Sequence, residues 1–350
     1  MSIRAIESTQ ATPNPIMEAV FAFGRTQVLV SAVELDLFTH IENGQHSAAE
    51  LARVTQASER GLRMLLNVLA AQQYLTKSGD RYYLTEMAKA FLSKRSPTCM
   101  GGLVLHMKQI QPGWSRLTEV VRSGKPPQLI EGKGNGDRGE FFAQFVDSLY
   151  ALGAPSAEAV ARRILTGHHG SELRVLDVGA GSGVWGFAFA KQNPRVRVTV
   201  ADWPKVIETV TKKFAKREGI SDRVEYLPGD FRETEFGENC YDVVTLGHIC
   251  HSEGAEHTQE MFARVRRALK PDGTIVVADF LADEQRAEAE FPLMFALNML
   301  VHTEQGDTFT WSECRQWLAE AGFGDASLVE VPSNIAVFLA RKREVAEQAA

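Results

Sequence analysis

The chain has 350 residues, of which 44% are hydrophobic and 23% charged, a composition typical of a soluble protein with room for two domains. Its formal net charge of −6 argues against a nucleic-acid-binding protein, which needs a basic face. We also expect no membrane segment, because no uninterrupted run of about 18 apolar residues is present. The N-terminus lacks the apolar core of a secretion signal, which makes the cytoplasm the expected compartment.

The first hundred residues predict a small helical domain, which we bound at 1–100 and which opens with a loose polar arm at 1–15. Ser47, with Glu50 three residues later, predicts a helix that begins with a capping box. A second helix is expected from Ser58, and the segment YLTKSGDRYYLT has the pattern of a β-hairpin. Two helices followed by a hairpin are typical of a winged helix-turn-helix.

A winged helix raises the alternative of a DNA-binding regulator. The second helix, SERGLRMLLNVLAAQQ, is mostly apolar, and residues 46–92 carry six basic and four acidic side chains. The resulting charge of +2 is small for a protein that reads a DNA groove. We therefore favour packing or dimerisation as the role of this domain, because a fold does not determine a function.

Residues 101–165 are expected to form a helical connector that carries substrate-pocket helices and contains a glycine-rich loop at 132–139. From 166 to 345, apolar strands alternate with helices, which predicts a parallel, doubly wound sheet. The predicted strands are LRVLDV, RVTVA, VEYLP, YDVVTLG and TIVVADF, followed by an antiparallel pair, ASLVEV and NIAVFLAR. The predicted fold class is therefore α/β, with a Rossmann-like sheet of seven strands after the mostly helical winged-helix domain.

The glycine-rich bend after the first of these strands predicts a nucleotide-like ligand. Gly179, Gly181 and Gly183 follow the spacing G-x-G-x-G. Val184 stands where the dinucleotide pattern G-x-G-x-x-G requires its third glycine. Asp177 precedes the loop, and a carboxylate there suits a cationic ligand better than a pyrophosphate. S-adenosylmethionine (SAM) carries an ammonium and a sulfonium but no phosphate, so we predict SAM rather than NAD.

Two further acidic residues follow the next two strands. Asp202 ends the second strand, where a carboxylate can accept both ribose hydroxyls. After the third strand, Asp230 could accept from the adenine amine while Phe231 packs on the ring face. Because ligands of such sheets bind at the carboxyl ends of the strands, these residues predict a single site. The predicted cofactor-binding residues are Asp177, Gly179, Gly181, Gly183, Asp202, Trp203, Asp230, Phe231 and Gly247.

Taken together, these motifs resemble those of small-molecule O-methyltransferases of the plant caffeate and bacterial natural-product type. LDVGAGSG matches the SAM loop of that family, ADWPKVI its ribose segment, PGDF its adenine segment and LNMLV its substrate-pocket region. GHICHSEGAEH stands where plant members have a motif that ends in aspartate, glutamate and histidine. The resemblance spans nearly the whole chain. It implies a class I methyltransferase fold, a homodimer formed through the N-terminal domain, and methyl transfer from SAM to a hydroxyl of a small aromatic or polyketide-like natural product.

Three histidines, His248, His251 and His257, follow the fourth strand. No metal site is predicted, because they lack the HExxH spacing and the four cysteines of the chain are scattered without a CxxC pair. A neutral histidine can instead take the proton of a phenol as the methyl group moves. The resemblance implies that His257 is this general base, since it matches the histidine of the plant motif, and Asp307 is a candidate to orient it.

The acceptor pocket is expected to be apolar with few polar groups, which suits a flat aromatic or polyketide-like acceptor. Ser252 and Glu253 replace the aspartate-tryptophan pair of the plant motif. C- or N-methylation, or SAM binding by a regulator or scaffold without catalysis, therefore stay open as alternatives. The predicted substrate-binding residues are His106, Met107, Trp114, Phe145, Met294, Asn298, Met299 and His302.

Overall fold

The computed structural model of the chain describes residues 12–127, 139, 141–143, 145–166 and 171–343. Most of the polar arm expected at 1–15 and of the glycine-rich loop expected at 132–139 lies outside these residues. Contacts within the chain divide it into two compact units, Met1–Lys108 and Gln109–Ala350. These contacts do not divide the chain further, so a separate connector at 101–165 stays a prediction.

The N-terminal unit has the predicted order of two helices and a hairpin. The Ser47 hydroxyl accepts the backbone N–H of Glu50 at 3.2 Å, and the Glu50 carboxylate accepts that of Ser47 at 2.9 Å. The hairpin pairs Leu75 with Leu84 and turns at Gly79, where φ is +56°. The capping box and the hairpin are thus confirmed, while the winged-helix assignment stays a prediction. The elements of this unit are α1 (Asn14–Glu34), α2 (Leu37–Glu42), α3 (Ala48–Thr55), α4 (Glu59–Ala71), β1 (Leu75–Ser78), β2 (Arg81–Leu84) and α5 (Glu86–Phe91).

Helix α1 exposes large apolar side chains, among them Phe21 and Phe23, which are 62% and 66% exposed. By length and composition, α1 could cross a membrane. The mean hydropathy of its most apolar 18-residue stretch is 1.4, and 17% of that stretch is buried. Glu18 and Arg25 interrupt the apolar sequence of α1, so it contains no uninterrupted apolar run of the length sought, and the expectation of no membrane segment stays a prediction. A signal sequence or a core helix of a soluble protein can have the same properties.

The second unit begins within α6 (Gly101–Trp114), which is followed by α7 (Leu117–Ser123), a 3-10 turn at Val146–Leu149 and α8 (Tyr150–Leu165). Strands and helices then alternate as predicted. They are β3 (Leu173–Val178), α9 (Val184–Gln192), β4 (Val196–Asp202), α10 (Pro204–Val206), α11 (Lys212–Arg217), β5 (Val224–Pro228), β6 (Tyr241–Gly247), α12 (Cys250–Ala268), β7 (Leu269–Asp279), β8 (Leu281–Ala282), α13 (Glu290–His302), β9 (Phe309–Thr310), α14 (Trp311–Glu320), β10 (Ser327–Val329) and β11 (Ala336–Arg341).

The main sheet has seven strands in the order β10-β11-β7-β6-β3-β4-β5. The five strands from β7 to β5 are parallel, and β11 runs antiparallel to both β7 and β10. The α/β fold class and the antiparallel finish are therefore confirmed. The parallel strands are continuous apolar sequences because helices cover both faces of the sheet, and a separate buried cluster fills each side. Their carboxyl ends share one edge, to which the site residues belong.

Candidate functional site

The glycine loop after β3 has a backbone that side chains would obstruct. Gly179, Gly181 and Gly183 have φ values of +62°, +54° and +75°, in the left-handed region that favours glycine. A Cβ atom on Gly179 would lie 2.2 Å from Cδ1 of Ile249, and one on Gly183 would lie 2.4 Å from the Phe187 ring. Both conformation and space thus favour glycine at 179 and 183, whereas conformation alone favours it at 181, where a Cβ would lie 3.6 Å from Val146.

Asp177, at the end of β3, is almost completely buried beneath this loop. Its Oδ1 accepts the hydroxyl of Thr245 at 2.6 Å, and its Oδ2 accepts the backbone N–H of Gly186 at 2.9 Å. Burial raises the pKa of Asp177 to about 7. Both carboxylate oxygens therefore hold α9 and β6 in place, and direct contact with the SAM ammonium stays a prediction.

Asp202 ties the end of β4 to the same loop. One carboxylate oxygen accepts the backbone N–H of Gly181 at 2.6 Å, and the other accepts that of Trp203 at 2.7 Å. Burial raises the pKa of Asp202 to about 6. The structure thus brings two of the predicted acids to one loop, as the strand-end argument requires.

The remaining predicted cofactor residues follow β5 and β6. The carboxylate of Asp230 accepts the backbone N–H of Arg232 at 2.9 Å. The buried ring of Phe231 lies beside the loop, 3.9 Å from where a Cβ of Gly179 would be. At the end of β6, a Cβ on Gly247 would lie 2.2 Å from the Trp185 ring, so this position needs glycine for packing.

His251, which the sequence analysis did not select, is paired with a buried acid. Its Nδ1 lies 2.6 Å from Oδ1 of Asp279, the last residue of β7, and its backbone N–H donates to Oδ2 at 3.1 Å. Burial raises the pKa of Asp279, but the His251 imidazole and its hydrogen bond outweigh this, so the pKa lies below its ordinary value. An ionised carboxylate only accepts, so Nδ1 carries the proton of the neutral imidazole and Nε2 carries a lone pair.

Aromatic rings surround this pair. The ring of Phe295 meets that of His251 edge-on at 4.8 Å between centroids, and Phe280 stacks on His251 at 5.9 Å. Phe291 extends the cluster, 5.0 Å from Phe280, and is well exposed. None of the three phenylalanines was among the predicted pocket residues.

His248 also contacts this cluster, with its ring 4.8 Å from that of Phe280. Burial lowers the pKa of His248 to about 4, so the ring is neutral near pH 7. Ligand atoms of His248, His251 and Asp279 lie within 4.8 Å of one another, a spacing that could also hold a metal ion. The 2.6 Å hydrogen bond already engages one atom each of His251 and Asp279, which favours acid–base chemistry over metal binding.

His257, the base expected from the resemblance, lies beyond a break in α12. Gly254 has φ +78° and ψ 177°, which interrupts the helix after its first turn. The Nδ1 of His257 lies 3.2 Å from the carbonyl oxygen of Glu253, and the Thr258 hydroxyl donates to the Cys250 carbonyl at 3.3 Å. These two side chains supply donors to carbonyls of the first turn. They support a structural contribution from His257, whose role as base stays a prediction.

Asp307, the expected partner of His257, makes a different contact. Its backbone N–H donates to the carbonyl of His251 at 2.9 Å, and its carboxylate accepts the N–H of Thr308 at 2.7 Å. It therefore helps to position the turn that carries His251.

The predicted substrate-binding residues lie in several surroundings. The indole N–H of Trp114 donates to the Asn298 side chain at 3.0 Å. Both ring nitrogens of His302 face backbone carbonyls, those of Asn298 at 2.9 Å and Ile110 at 3.3 Å, and burial lowers its pKa. Met299 is buried, whereas Met294 is exposed.

The three other predicted substrate-binding residues are divided between the two units of the chain. Phe145 packs 5.7 Å from Phe141. His106 and Met107 belong to the N-terminal unit. Contact of any predicted pocket residue with an acceptor stays a prediction.

Sequence reasoning missed the pair of His251 and Asp279, although a signal for Asp279 was present. An acid ends β7 in the segment VVAD, just as Asp177 and Asp202 end β3 and β4. Applying the strand-end argument to this strand would have placed Asp279 in the site.

Comparisons with known proteins identify the family of the chain. An O-methyltransferase domain model matches residues 114–324, and an O-methyltransferase dimerisation domain model matches residues 17–94. The tetracenomycin polyketide synthesis 8-O-methyl transferase of Streptomyces glaucescens is 31% identical over 94% of this chain and 97% of its own. The 3-hydroxy-5-methyl-1-naphthoate 3-O-methyltransferase of Streptomyces sahachiroi is 27% identical over 92% of each.

The fold is shared with a solved structure, that of human N-acetylserotonin methyltransferase in complex with SAM. The two structures superpose with a TM-score of 0.82, and the two sequences are 24% identical. The match covers 97% of this chain and all of the human chain. The expected resemblance, fold and cofactor are thus confirmed. The chain belongs to the SAM-dependent O-methyltransferase family and carries both the methyltransferase domain and the dimerisation domain of that family.

Proposed function

We propose that this O-methyltransferase methylates a hydroxyl of a small aromatic or polyketide-like natural product, with His251 as the general base. The observation that carries the proposal is the 2.6 Å contact between His251 and Asp279. The names of two bacterial relatives, one for polyketide synthesis and one for a naphthoate, support the acceptor class.

The residues at the sheet edge fit SAM. The glycines at 179, 181 and 183 keep the loop free of side chains, and Asp202 ends β4 where the ribose hydroxyls are expected. Phe231 and Asp230 follow β5, on the side proposed for adenine. SAM supplies a methyl group activated by its sulfonium; the chain binds it and orients the acceptor.

The proton of the acceptor hydroxyl is assigned to His251. Asp279 holds Nδ1–H and fixes the tautomer, which leaves Nε2 able to accept a proton. A phenol has an unperturbed pKa of about 10, so removing its proton during transfer makes the oxygen a better nucleophile. The resulting imidazolium is stabilised by the ionised carboxylate behind it.

The aromatic cluster supports a planar acceptor. Phe280 and Phe295 flank the His251 ring, and the exposed Phe291 on α13 extends the same apolar surface. Aromatic rings favour stacked or edge-on contact with one another, which suits a flat acceptor whose hydroxyl faces the base.

We infer further that the enzyme works as a homodimer through the unit that contains residues 17–94, in the cytoplasm, without nucleic acid or membrane partners. The dimerisation-domain match supports the first point. The acidic net charge of −6 supports the absence of nucleic acid.

Incubation of the protein with methyl-labelled SAM and a panel of phenols, naphthols and hydroxylated polyketides tests the reaction. Transfer to a phenolic oxygen, identified by NMR of the product, is expected. Transfer only to carbon or nitrogen, or no transfer despite tight SAM binding, would overturn the proposed reaction.

A further inference from the structure

We propose that the ion pair between Arg232 and Glu253 is a positioning element. Through this pair, the segment after β5, which is proposed to bind the adenine of SAM, holds the first turn of α12 in place. His251 on that turn is thereby positioned to deprotonate the acceptor. This inference rests on the proposed role of His251. It assigns a role in catalysis to two residues that are not expected to touch the reacting atoms.

The geometry of the pair is bidentate. Nε of Arg232 donates to one carboxylate oxygen of Glu253 at 2.7 Å, and a terminal nitrogen donates to the other at 2.9 Å. The Glu253 side chain is only 3% exposed, whereas that of Arg232 is 33% exposed. Two parallel charge-assisted hydrogen bonds fix orientation as well as distance, so the pair acts as a rigid link.

The link joins the two functional segments of the site. Arg232 follows Asp230 and Phe231 directly, and its backbone N–H is held by the Asp230 carboxylate. Glu253 lies two residues after His251 on the same helical turn. A displacement of the segment after β5 is therefore transmitted to the turn that carries the base.

This turn depends on such contacts because it is separated from the rest of α12. Gly254 is not helical, with ψ of 177°, so the turn 250–253 lacks the support of a continuous helix. A Cβ on Gly254 would lie 2.5 Å from the Gln305 carbonyl oxygen, so the residue at the break has to be glycine. The turn is held instead by Asp279, by the backbone of Asp307, by the side chains of His257 and Thr258, and by Arg232, which alone of these links it to the segment after β5.

Stability alone does not account for the pair. Moving two charges out of water costs free energy, and their mutual attraction often does no more than offset this cost. A protein with two apolar side chains of similar volume in their place is frequently as stable. What an ion pair adds to apolar packing is directional specificity. At this position the direction that it fixes is that of the His251 turn relative to the SAM site.

A double substitution, Arg232→Met with Glu253→Leu, removes both charges together and leaves neither buried alone. Activity is measured with methyl-labelled SAM on two acceptors, a phenol that the wild type methylates and its more acidic nitro-substituted analogue. Binding of S-adenosylhomocysteine (SAH), the demethylated product of SAM, is measured by calorimetry. Arg116→Gln with Glu119→Gln, at an exposed ion pair of the same unit, is the matched control.

We expect the double variant to lose about tenfold or more in kcat on the phenol but less than about threefold on the acidic analogue, which needs the base less. SAH affinity should stay within about threefold of wild type, and the control should match wild type. Equal losses on both acceptors, unchanged kcat on both, or a loss confined to SAH binding would each overturn the inference.

Two further variants keep the test decisive. If the double variant does not fold, Arg232→Lys retains the charge but not the planar bidentate contact, and it must show the same selective loss on the phenol. His251→Ala separates this inference from the proposed function. Full activity of His251→Ala refutes the proposed base, whereas its inactivity together with a fully active double variant refutes only the positioning role.

Discussion

Nδ1 of His251 lies 2.6 Å from Oδ1 of Asp279, and the backbone N–H of His251 donates to the other oxygen of the same carboxylate. One acid therefore fixes both the ring and the backbone of this histidine. The two residues come from the turn after β6 and from the end of β7, neighbouring parallel strands of the sheet. Among the three histidines after β6, this is the one whose ring is hydrogen-bonded to a carboxylate.

Replacing His251 by alanine tests this assignment directly. We expect kcat on a phenolic acceptor to fall by about 10²–10⁴, because proton removal in the transition state is lost, while SAH affinity is nearly unchanged. His257→Ala is the matched comparison, and we expect it to retain most of kcat while lowering the melting temperature, since it removes a hydrogen bond to the Glu253 carbonyl.

The reverse result would restore the base expected from the resemblance. If His257→Ala loses 10²-fold or more, by the same rough criterion, and His251→Ala is active, then His257 is the base. Calorimetry with SAH on both variants ensures that a loss of activity is not a loss of cofactor binding.

The Asp279→Asn variant keeps the proposed base, His251, but removes the carboxylate that orients it. The amide cannot hold Nδ1–H and the His251 backbone N–H as a carboxylate does, and it does not stabilise an imidazolium. We expect kcat to fall by about 10²–10⁴ with SAH affinity retained. Steady-state kinetics at saturating SAM checks this, and wild-type turnover in a folded Asp279→Asn variant would show that the pair is structural.

The sheet and the cofactor edge were predictable from sequence because their signals are local. Apolar runs between the helices predict the strands. The spacing of Gly179, Gly181 and Gly183 predicts a tight loop, and all three glycines adopt the left-handed conformation. Ser47 and Glu50 form their capping box within a single turn, so its sequence signal is local.

The arrangement of the base was not predictable in this way. His251 contacts Asp279, which lies 28 residues later in the sequence. No feature of the local sequence distinguishes His251 from His248 or His257. Gly254 separates the first turn of α12, and the distant Gln305 leaves no room there for a side chain. The aromatic cluster likewise assembles from β7 and α13, which only the tertiary structure brings together.

The buried Asp177 predicts a specific dependence of stability on pH in the absence of SAM. Its pKa is about 7 in the folded protein against 3.8 in the unfolded chain, so the folded state holds the proton longer. The free energy of unfolding of wild type, relative to Asp177→Asn, should therefore fall as pH rises through this range and level off above pH 7. The slope reaches at most about 1.4 kcal/mol per pH unit.

Urea unfolding of both proteins at intervals from pH 5 to 8 measures this difference. Asp202, whose pKa is also raised, titrates in both proteins, and because its charge contributes to the raised pKa of Asp177 the measured difference includes the interaction between the two acids. A difference that rises with pH would mean that Asp177 is ionised and stabilised in the folded protein.

Gly247→Ala is expected to destabilise the second unit through packing. The added Cβ would lie 2.2 Å from the Trp185 ring, which is buried and cannot retreat freely. Overpacking of this kind costs about 1–3 kcal/mol. Gly324→Ala is the control, because its Cβ meets nothing closer than 3.4 Å. Thermal unfolding should show a clear fall for the first variant and little change for the second; equal melting temperatures would contradict this packing argument.

The exposed apolar face of α1 predicts how the dimer can be broken. Phe21 is 62% exposed in the single chain and falls within the part of the chain that matches the dimerisation domain. Phe21→Asp would bury a charge in the proposed interface, so we expect this variant to be a monomer and wild type a dimer in sedimentation velocity at micromolar concentration. Leu328→Asp is the matched control: Leu328 is 51% exposed on β10, outside the dimerisation domain, and its variant should stay dimeric. A monomeric wild type would refute the proposed dimer, and a dimeric Phe21→Asp variant would place this apolar face outside the interface.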